Sequence, residues 1–425
     1  MKSRKIRELP ARRDLLRKMA LGSSLLAGGG LASLATAQTG GTQSTSGDGA
    51  SDMDRDRVSA YPTLIDAENA IANGSLRPGE LVDVLRHDRS GTGGGFRGRV
   101  LSAANRLLPG TGMLEPTETV LDVRMFGPSD TAGAATRTAQ LALDWSAANQ
   151  QIVHLPTRFE LQEPAKISSN AGLVGLGAGF RCGFRPIDCP AIILDGDGVE
   201  GGFVFNVVLR DFGIWGDRVQ SRQPYAMMLN RCYRSAIENV TFRGYAVANN
   251  RTQSVVSLSG IQNHMVLDRL TIIGSENGKG GYGVRIGNSA NGGQIHFSHL
   301  DVEKTATSVV VEEGAQVQFL NPYFERFDTA VELKPGVRSV FINGGIFRFG
   351  SQRAAAIKLA AGRYDKEEHI AIIGSTFQVP RQDVAYRGIY TEGMQWINSS
   401  LIELIGIDRK SISISPAVRR AAGID

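Results

Sequence analysis

The sequence predicts an all-β chain, a parallel β-helix (solenoid) preceded by a helix and a small N-terminal β element. The main observation is a phrase written eight times, a large apolar residue followed five positions on by another. Its instances are Leu209–Ile214, Ile237–Phe242, Leu267–Ile272, Phe297–Val302, Phe319–Phe324, Phe341–Ile346, Ile372–Phe377 and Ile402–Ile407, with starts 28, 30, 30, 22, 22, 31 and 30 residues apart. Periods of this length mark a solenoid. Each run is too short for a helix and is bounded by Gly or Asn, so one strand-rich coil per period is expected. The remaining observation is composition: 425 residues with 51 Gly and 15 Pro can bury a large core and are not those of a disordered chain.

The formal charge of +5 is concentrated at the start. Residues 1–37 hold eight Lys or Arg against Glu8 and Asp14, a net of +6, so the rest of the chain carries −1. A nucleic-acid ligand is therefore not implied by charge. The basic stretch ends in Arg12-Arg13-Asp14-Leu15-Leu16, an apolar Gly-rich run covers Met19–Leu34, and Ala35-Thr36-Ala37 is a small-x-small cleavage pattern. This resembles the twin-arginine signal of bacteria, with Leu15 where Phe is commoner. The expected partner during export is the twin-arginine translocase, Gln38 is the expected first mature residue, and the destination is the periplasm or the medium. The run is short and glycine-rich for a bilayer, so no membrane span is expected in the mature protein.

Residues 38–56 read as a flexible Gly/Ser/Thr/Asp linker. Residues 57–115 read as the small β element: a short helix over Pro62–Asn73, a strand over Gly79–Leu85, a turn at Ser90–Gly95 and a returning strand over Phe96–Leu101. The glycine run lacks a following Lys-Ser/Thr and is a hairpin tip, not a phosphate loop. From residue 116 the solenoid begins. Val120–Gly127 reads as a strand, Thr136–Asn149 as a helix with Leu141, Trp145 and Ala148 on one face, and Ile152–Pro156 as a strand. Cys182, Cys189 and Cys232 show no zinc spacing; an exported chain permits a Cys182–Cys189 bridge, with free buried thiols as the plainer reading.

Strand, Phe126-Gly127, Asp-containing loop, helix, then a strand ending in Leu155-Pro156 resembles the opening of the pectate-lyase superfamily, including its epimerase-like and tailspike-like members. Coils such as Asn206–Ile214 are similar too, and the resemblance covers residues 57–425. It implies a right-handed β-helix whose N-terminal helix, here 136–149, caps the open end. The family's paired acids before that helix are reduced to Asp130. Absent are the Asn-Thr-Asp, Asp-Asp and Gly-His-Gly set of polygalacturonases, the Asp-Pro-His-Asp of alginate epimerases and the calcium-binding Asp cluster of pectate lyases.

Stacked coils turn equivalent positions into ladders ~4.8 Å apart. His299, Asp301 and Glu303 on one rung and Asn321, Tyr323 and Glu325 on the next stand out. Stacked Glu303 and Glu325 could supply an acid and a base from one residue type. His299 and Tyr323 could move protons, with Asp301 beside them. Lys304, Arg326 and Arg348 form a cationic ladder, and Arg269 occupies an earlier rung; these could hold a sugar carboxylate. The competing reading of the same residues is a solvated ion-pair network. Trp215, beside Asp217 and Arg218, is a further candidate sugar contact. Asp195-Gly196-Asp197-Gly198 with Glu200 resembles part of a calcium loop without its remaining ligands; a tight turn is the alternative, and no cofactor is otherwise implied. His264 and His296 read as ordinary loop or surface residues. Three functions follow in order: an exported lyase or glycoside hydrolase acting on an acidic polysaccharide, a non-catalytic carbohydrate-binding envelope protein, and a tailspike-like adhesion module assembled as a homotrimer.

Overall fold

The computed structural model describes residues 58–423 apart from several internal stretches, the longest being 87–93, 103–113, 217–224 and 246–253. The leader 1–37, the linker 38–56, the turn residues Ser90–Gly93, Gly198, Asp217, Arg218 and Ile407 lie outside the described residues. The chain is a parallel β-helix. Every strand pair in the coils is parallel, and each coil adds one strand to each of three faces. The first face includes Met265–Asp268, Gln294–Ser298 and Gln316–Leu320; the second includes Thr271–Gly274, Asp301–Glu303 and Tyr323–Glu325. The third runs from Ala165–Lys166 to Ile412–Ile414.

Between the first and second faces the chain turns on one left-handed residue in most coils, with Gly345 joining Gly344 in the sixth. Asp211, Asn239, Arg269, His299, Asn321, Gly344, Gly374 and Gly406 hold φ between 48° and 70°. An L-residue pays sterically for this left-handed conformation, and Asn, Asp and His tolerate it best. The bend lets residues on both sides of the corner point inward, as Phe319 and Phe324 do with no exposure. The third position of the repeated phrase is thus a corner and not an outward strand position.

These corners also correct the repeat. Phe319 pairs with Ile342, not Phe341, and Ile372 pairs with Leu404, not Ile402. The sixth and eighth phrases therefore begin at Ile342 and Leu404. Phe341 and Ile402 are apolar and lie next to or near the true positions, which is why alternation alone misplaces them. Gly344 takes its corner for a packing reason as well: a Cβ there would lie 2.2 Å from the Asn321 side-chain oxygen.

Inside, aromatic rings stack at the coil repeat, Phe297 on Phe319 at 5.2 Å and Phe324, Phe347 and Phe377 in series at 5.3 and 5.2 Å. Cys182, Cys189 and Cys232 are free and buried. Burial pushes the Cys189 thiol up to about 11 and the Cys232 thiol to about 12, so both stay protonated and inert.

The N-terminal end is covered by the helix Ala132–Asn149, one turn longer than the sequence reading. Thr131 caps it, its hydroxyl accepting from the Ala134 amide at 3.2 Å, so Asp130 is not the cap. Its buried face is Ala135, Ala139, Ala142, Leu143, Trp145 and Ser146, whereas Leu141 is half-buried and Ala148 exposed. Small residues let the helix approach the first coil closely. Its polar side chains then satisfy edge backbone: the Gln162, Lys166 and Gly172 amides donate to Thr136, Gln140 and Ser146 at 2.8, 2.9 and 2.8 Å. An open sheet edge is thereby closed. Residues 123–126 form a 3-10 turn, and Leu121–Asp122 are the described strand residues of the expected Val120–Gly127 strand. At the other end a helix over Pro416–Ala422 buries Val418 completely. The N-terminal element is a four-stranded sheet of Ser59–Tyr61, Leu81–Arg86, Gly94–Val100 and Leu114–Pro116 with the helix Leu64–Ala72.

Placing a β-branched residue at a left-handed corner costs ~1–3 kcal/mol, whereas Gly relieves the strain. Urea unfolding should show Asn321→Val destabilised by about that amount and Asn321→Gly close to the parent. Equal midpoints for the two variants would contradict the corner as described.

Candidate active site

The second face carries the acids. Val302 and Phe324 point into the core, so their neighbours Asp301, Glu303, Tyr323 and Glu325 point outward. Hydrogen-bonded register pairs Asp301 with Tyr323 and Glu303 with Glu325 on adjacent rungs. The Glu column continues to Arg348 and Gln378, and the Asp column to Ile346 and Thr376. Arg348 therefore stacks on Glu325. It does not share the ladder of Lys304 and Arg326, a consequence of the one-residue slip corrected above.

Glu325 is the centre of the constellation. Its Oε2 accepts from the Tyr323 hydroxyl at 2.6 Å and from Arg348 Nη1 at 3.3 Å, while Arg326 Nε lies 3.4 Å from Oε1. The carboxylate side chain is 14% exposed, against 63% for Arg326 and 55% for Arg348. The acid is shielded while both guanidinium groups reach solvent, where they can also meet an anionic ligand. Burial, with the hydrogen bond to Glu325, raises the Tyr323 pKa and keeps the phenol protonated. Donation of a hydrogen bond to the Tyr323 oxygen, with the Glu325 charge, binds the Arg348 proton more firmly.

Asp301 behaves differently. Burial, and then the charges of Glu303 and Glu325, push its pKa from 3.8 up to about 6. Its Oδ1 is buried and finds no hydrogen-bond partner among the described residues. Adjacent rungs thus hold a carboxyl group that keeps its proton into mildly acidic solution and a carboxylate clamped by two arginines. A groove of about 380 Å³ leads away from Glu325, lined by Arg326, Arg348, Phe349, Gly350, Gln378 and Pro380.

His299 is not in this group. It is a first-corner residue with φ 52°, and its Nδ1 lies 3.0 Å from Ser298 Oγ and 3.5 Å from Asp268 Oδ1. Arg269 occupies the corner before it and pairs with Asp268 at 3.2 Å. Both belong to the edge of the first face. Lys304 and Arg326, at φ 57° and 55°, turn the chain at the far edge of the second face, and Arg326 flanks the groove. Trp215 heads the Glu column but stands four rungs from Glu325, ~19 Å away. Its indole lies across Gly183 and Gly213, where a Cβ would come within 2.7 Å, and the Arg158 guanidinium sits 4.2 Å from its centroid. Sequence reasoning missed Gln378, Phe349 and Pro380, which line the groove because of register in the later coils.

The Asp195–Asp197 segment is a turn. Asp195 Oδ1 accepts from the Asp197 amide at 3.0 Å, and the Asn230 amide group donates to both carboxylates at 2.7 and 2.8 Å. Arg231 Nε lies 3.1 Å from Asp197. Asp195 Oδ1 and both carboxylate oxygens of Asp197 are thus engaged by protein donors. Among the described residues no group of three or more His, Cys, Asp or Glu is placed to hold a metal, and no helix is long and apolar enough to cross a membrane.

The raised Asp301 pKa carries a sign. Folded protein binds this proton more tightly than unfolded chain, so stability falls as pH rises from about 4 to about 6. Asp301→Asn removes that loss. Thermal unfolding should show the variant more stable than the parent at pH 7.5 and equal to it near pH 3.5; parallel pH profiles would refute the assignment.

Similarity searches find structural likeness alone. No protein-family model matches the chain, and no curated protein matches it. Among solved structures, the gp42 tailspike of Acinetobacter phage vb_AbaP_AS12 aligns at 11% identity over 84% of this chain and 75% of its own, with a TM-score of 0.48. PfbA, a surface adhesin of Streptococcus pneumoniae, aligns at 14% identity over 70% and 82%, TM-score 0.44. Pantoea stewartii WceF, described as a glycan biofilm modifying enzyme with a tailspike-like parallel β-helix fold, aligns at 11% over 76% and 47%, TM-score 0.40. These scores lie below 0.5, and nothing about substrate or activity follows from them.

Proposed function

We propose that this protein is a glycoside hydrolase of the pectate-lyase-like β-helix class, exported to the periplasm or medium and acting on an acidic polysaccharide. The observation that carries the reading is the pairing of Asp301, pushed to about 6, with Glu325 on the next rung, which accepts hydrogen bonds from Tyr323 and Arg348 and lies beside Arg326. A carboxyl group whose surroundings raise its proton affinity is suited to serve as the acid of such a pair. Asp301 donates its proton to the glycosidic oxygen as the bond to the anomeric carbon breaks. Glu325 takes a proton from the water that attacks that carbon. Glu303 acts through charge, helping to hold the proton on Asp301.

Asp301 and Glu325 are diagonal neighbours: one rung of ~4.8 Å and two residues of ~3.3 Å separate their backbones by ~8 Å. Side chains rising from such diagonal positions can hold their carboxyl groups at the ~6.5–9.5 Å of inverting glycosidases. Hydrolysis is favoured over elimination because neither Tyr323 nor His299 is placed to abstract a proton from carbon. Tyr323 keeps its proton, and His299 faces Asp268. Arg326 and Arg348 suit the carboxylate of a uronic acid.

The second reading, a non-catalytic carbohydrate platform or adhesion module assembled as a trimer, draws on the same ion pairs as surface structure. Incubation with a panel of acidic polysaccharides separates the two. New reducing ends without ultraviolet absorbance from a double bond are expected, with the first-formed anomer inverted. Glu325→Gln and Asp301→Asn should each lower the rate about 10²–10⁴-fold. Retention of polymer without cleavage, or undiminished cleavage by either variant, would overturn the hydrolase. In the parent, activity should fall as pH rises through about 6, where Asp301 loses its proton.

Export has its own test. The protein recovered outside the cytoplasm should begin at Gln38, and replacing Arg12 and Arg13 together with Lys should leave it inside. An intact Met1 on exported protein would contradict a cleaved leader.

A further inference from the structure

A second concave site lies on a different turn of the solenoid, between the third and first faces. It is lined by Glu200, Gly201, Phe203, Phe205, Tyr233, Ile261 and Asn263 and encloses about 340 Å³. Here the chain makes a short parallel ladder pairing Val204 with Cys232 and Phe205 with Tyr233, and a bridge joins Tyr233 to Asn263. Val204 and Cys232 are buried, so alternation turns Phe205 and Tyr233 outward on consecutive coils. Phe205 is 38% exposed, the one aromatic among the large apolar side chains that are exposed in the described residues.

The site is built and held. The amides of Asn170, Asn206 and Arg234 donate to the carbonyls of Phe205, Tyr233 and Asn263 at 2.8, 3.2 and 2.9 Å. The Arg234 guanidinium lies 5.0 Å from the Tyr233 ring centre, and His264 meets that ring edge-on at 5.9 Å. The wall formed by Glu200 and Gly201 belongs to the turn locked by Asp195, Asp197, Asn230 and Arg231. That turn, which resembles a calcium loop in sequence, thus serves to position one side of the pocket.

We propose that this pocket binds one uncharged sugar ring of a saccharide, separately from the groove at Glu325. Aromatic rings and Ile261 offer apolar surface to the C–H faces of a pyranose, as in small-molecule sites that combine an apolar lining with few polar groups. The Glu200 carboxylate and Asn263 can accept from or donate to its hydroxyls. Glu200 is the one charged residue type lining this pocket, whereas Arg326 and Arg348 line the groove, so the groove is the better site for an acidic sugar. The volume is near the lower end of the ~300–1,000 Å³ of small-molecule sites, room for a ring and not a stretch of polymer. The inference shares with the proposed function only the premise that the ligand is a saccharide.

Saturation-transfer NMR with the full chain and methyl glycosides of glucose, galactose, mannose and N-acetylglucosamine tests it, with methyl glucuronide as the charged probe. At least one neutral glycoside should bind at millimolar concentration, equally to the parent and to Glu325→Gln. Phe205→Ala and the gentler Phe205→Leu and Tyr233→Leu should weaken it ten-fold or more, with circular dichroism confirming the fold. Three results would overturn the proposal: no saturable neutral glycoside, binding that survives loss of Phe205, or equal binding of the glucuronide. A concentration-dependent dimer abolished by Phe205→Ala, without sugar binding, would also overturn it and make the pocket an interface between copies. Loss of polysaccharide cleavage in Glu325→Gln with glycoside binding intact supports both sites. Cleavage unaffected by Glu325→Gln with binding intact would remove the proposed hydrolase and leave the pocket.

Discussion

Everything in the solenoid depends on one residue standing in the left-handed region between the first and second faces of most coils. That single residue replaces a loop. It lets the apolar residues on either side of it face one interior, and it brings the chain round with a constant phase. Parallel pairing then copies the phase from coil to coil, so side chains fall into columns. Asn, Asp, His and Gly at most of these corners are the residues whose steric cost there is lowest. At the third turn Asn170, Asn206 and His264 follow the same rule, and Arg234 takes the same conformation there.

A stack of this kind has two open ends, and each would expose unpaired strand and core. The helix Ala132–Asn149 closes the first with small residues for close packing and with Thr136, Gln140 and Ser146 as acceptors for edge amides. The helix Pro416–Ala422 closes the second through Val418. Between them the aromatic stack fills the interior without polar atoms to satisfy. Stability therefore comes from the repeat, which leaves the outward face free to carry charges that do not help folding.

The second face uses that freedom. Asp301 sits half-desolvated beside two other acids, an arrangement that lowers stability near neutral pH and is tolerated because the columns around it are rigid. Glu325 is held by Tyr323, Arg326 and Arg348, so the two carboxyl groups share a surface and differ in the partners that surround them. The aromatic pocket at Phe205 and Tyr233 differs again, being apolar with a single acid. One backbone repeat presents both chemistries because outward positions are unconstrained by the core.

The solenoid was legible in the sequence because its determinants are periodic and local. Apolar spacing revealed the coils, the cap helix and the stacking of Glu303 on Glu325. What was not legible depended on register. A slip at Phe341 put Arg348 in the wrong ladder, since neighbouring apolar residues look alike until Gly344 is seen to share a corner with Asn321. His299 looked like a strand position because nothing local distinguishes an outward residue from a left-handed corner. The pairing of Asp301 with Glu325 as unlike acids, the occupied oxygens of Asp195 and Asp197, and the pocket at Phe205 arise from contacts between coils ~20–35 residues apart. Sequence alone therefore determined the repeat and the kinds of side chain on each coil. The tertiary structure decided which of them meet, because proton affinity and exposure belong to neighbours across coils and not to neighbours along the chain.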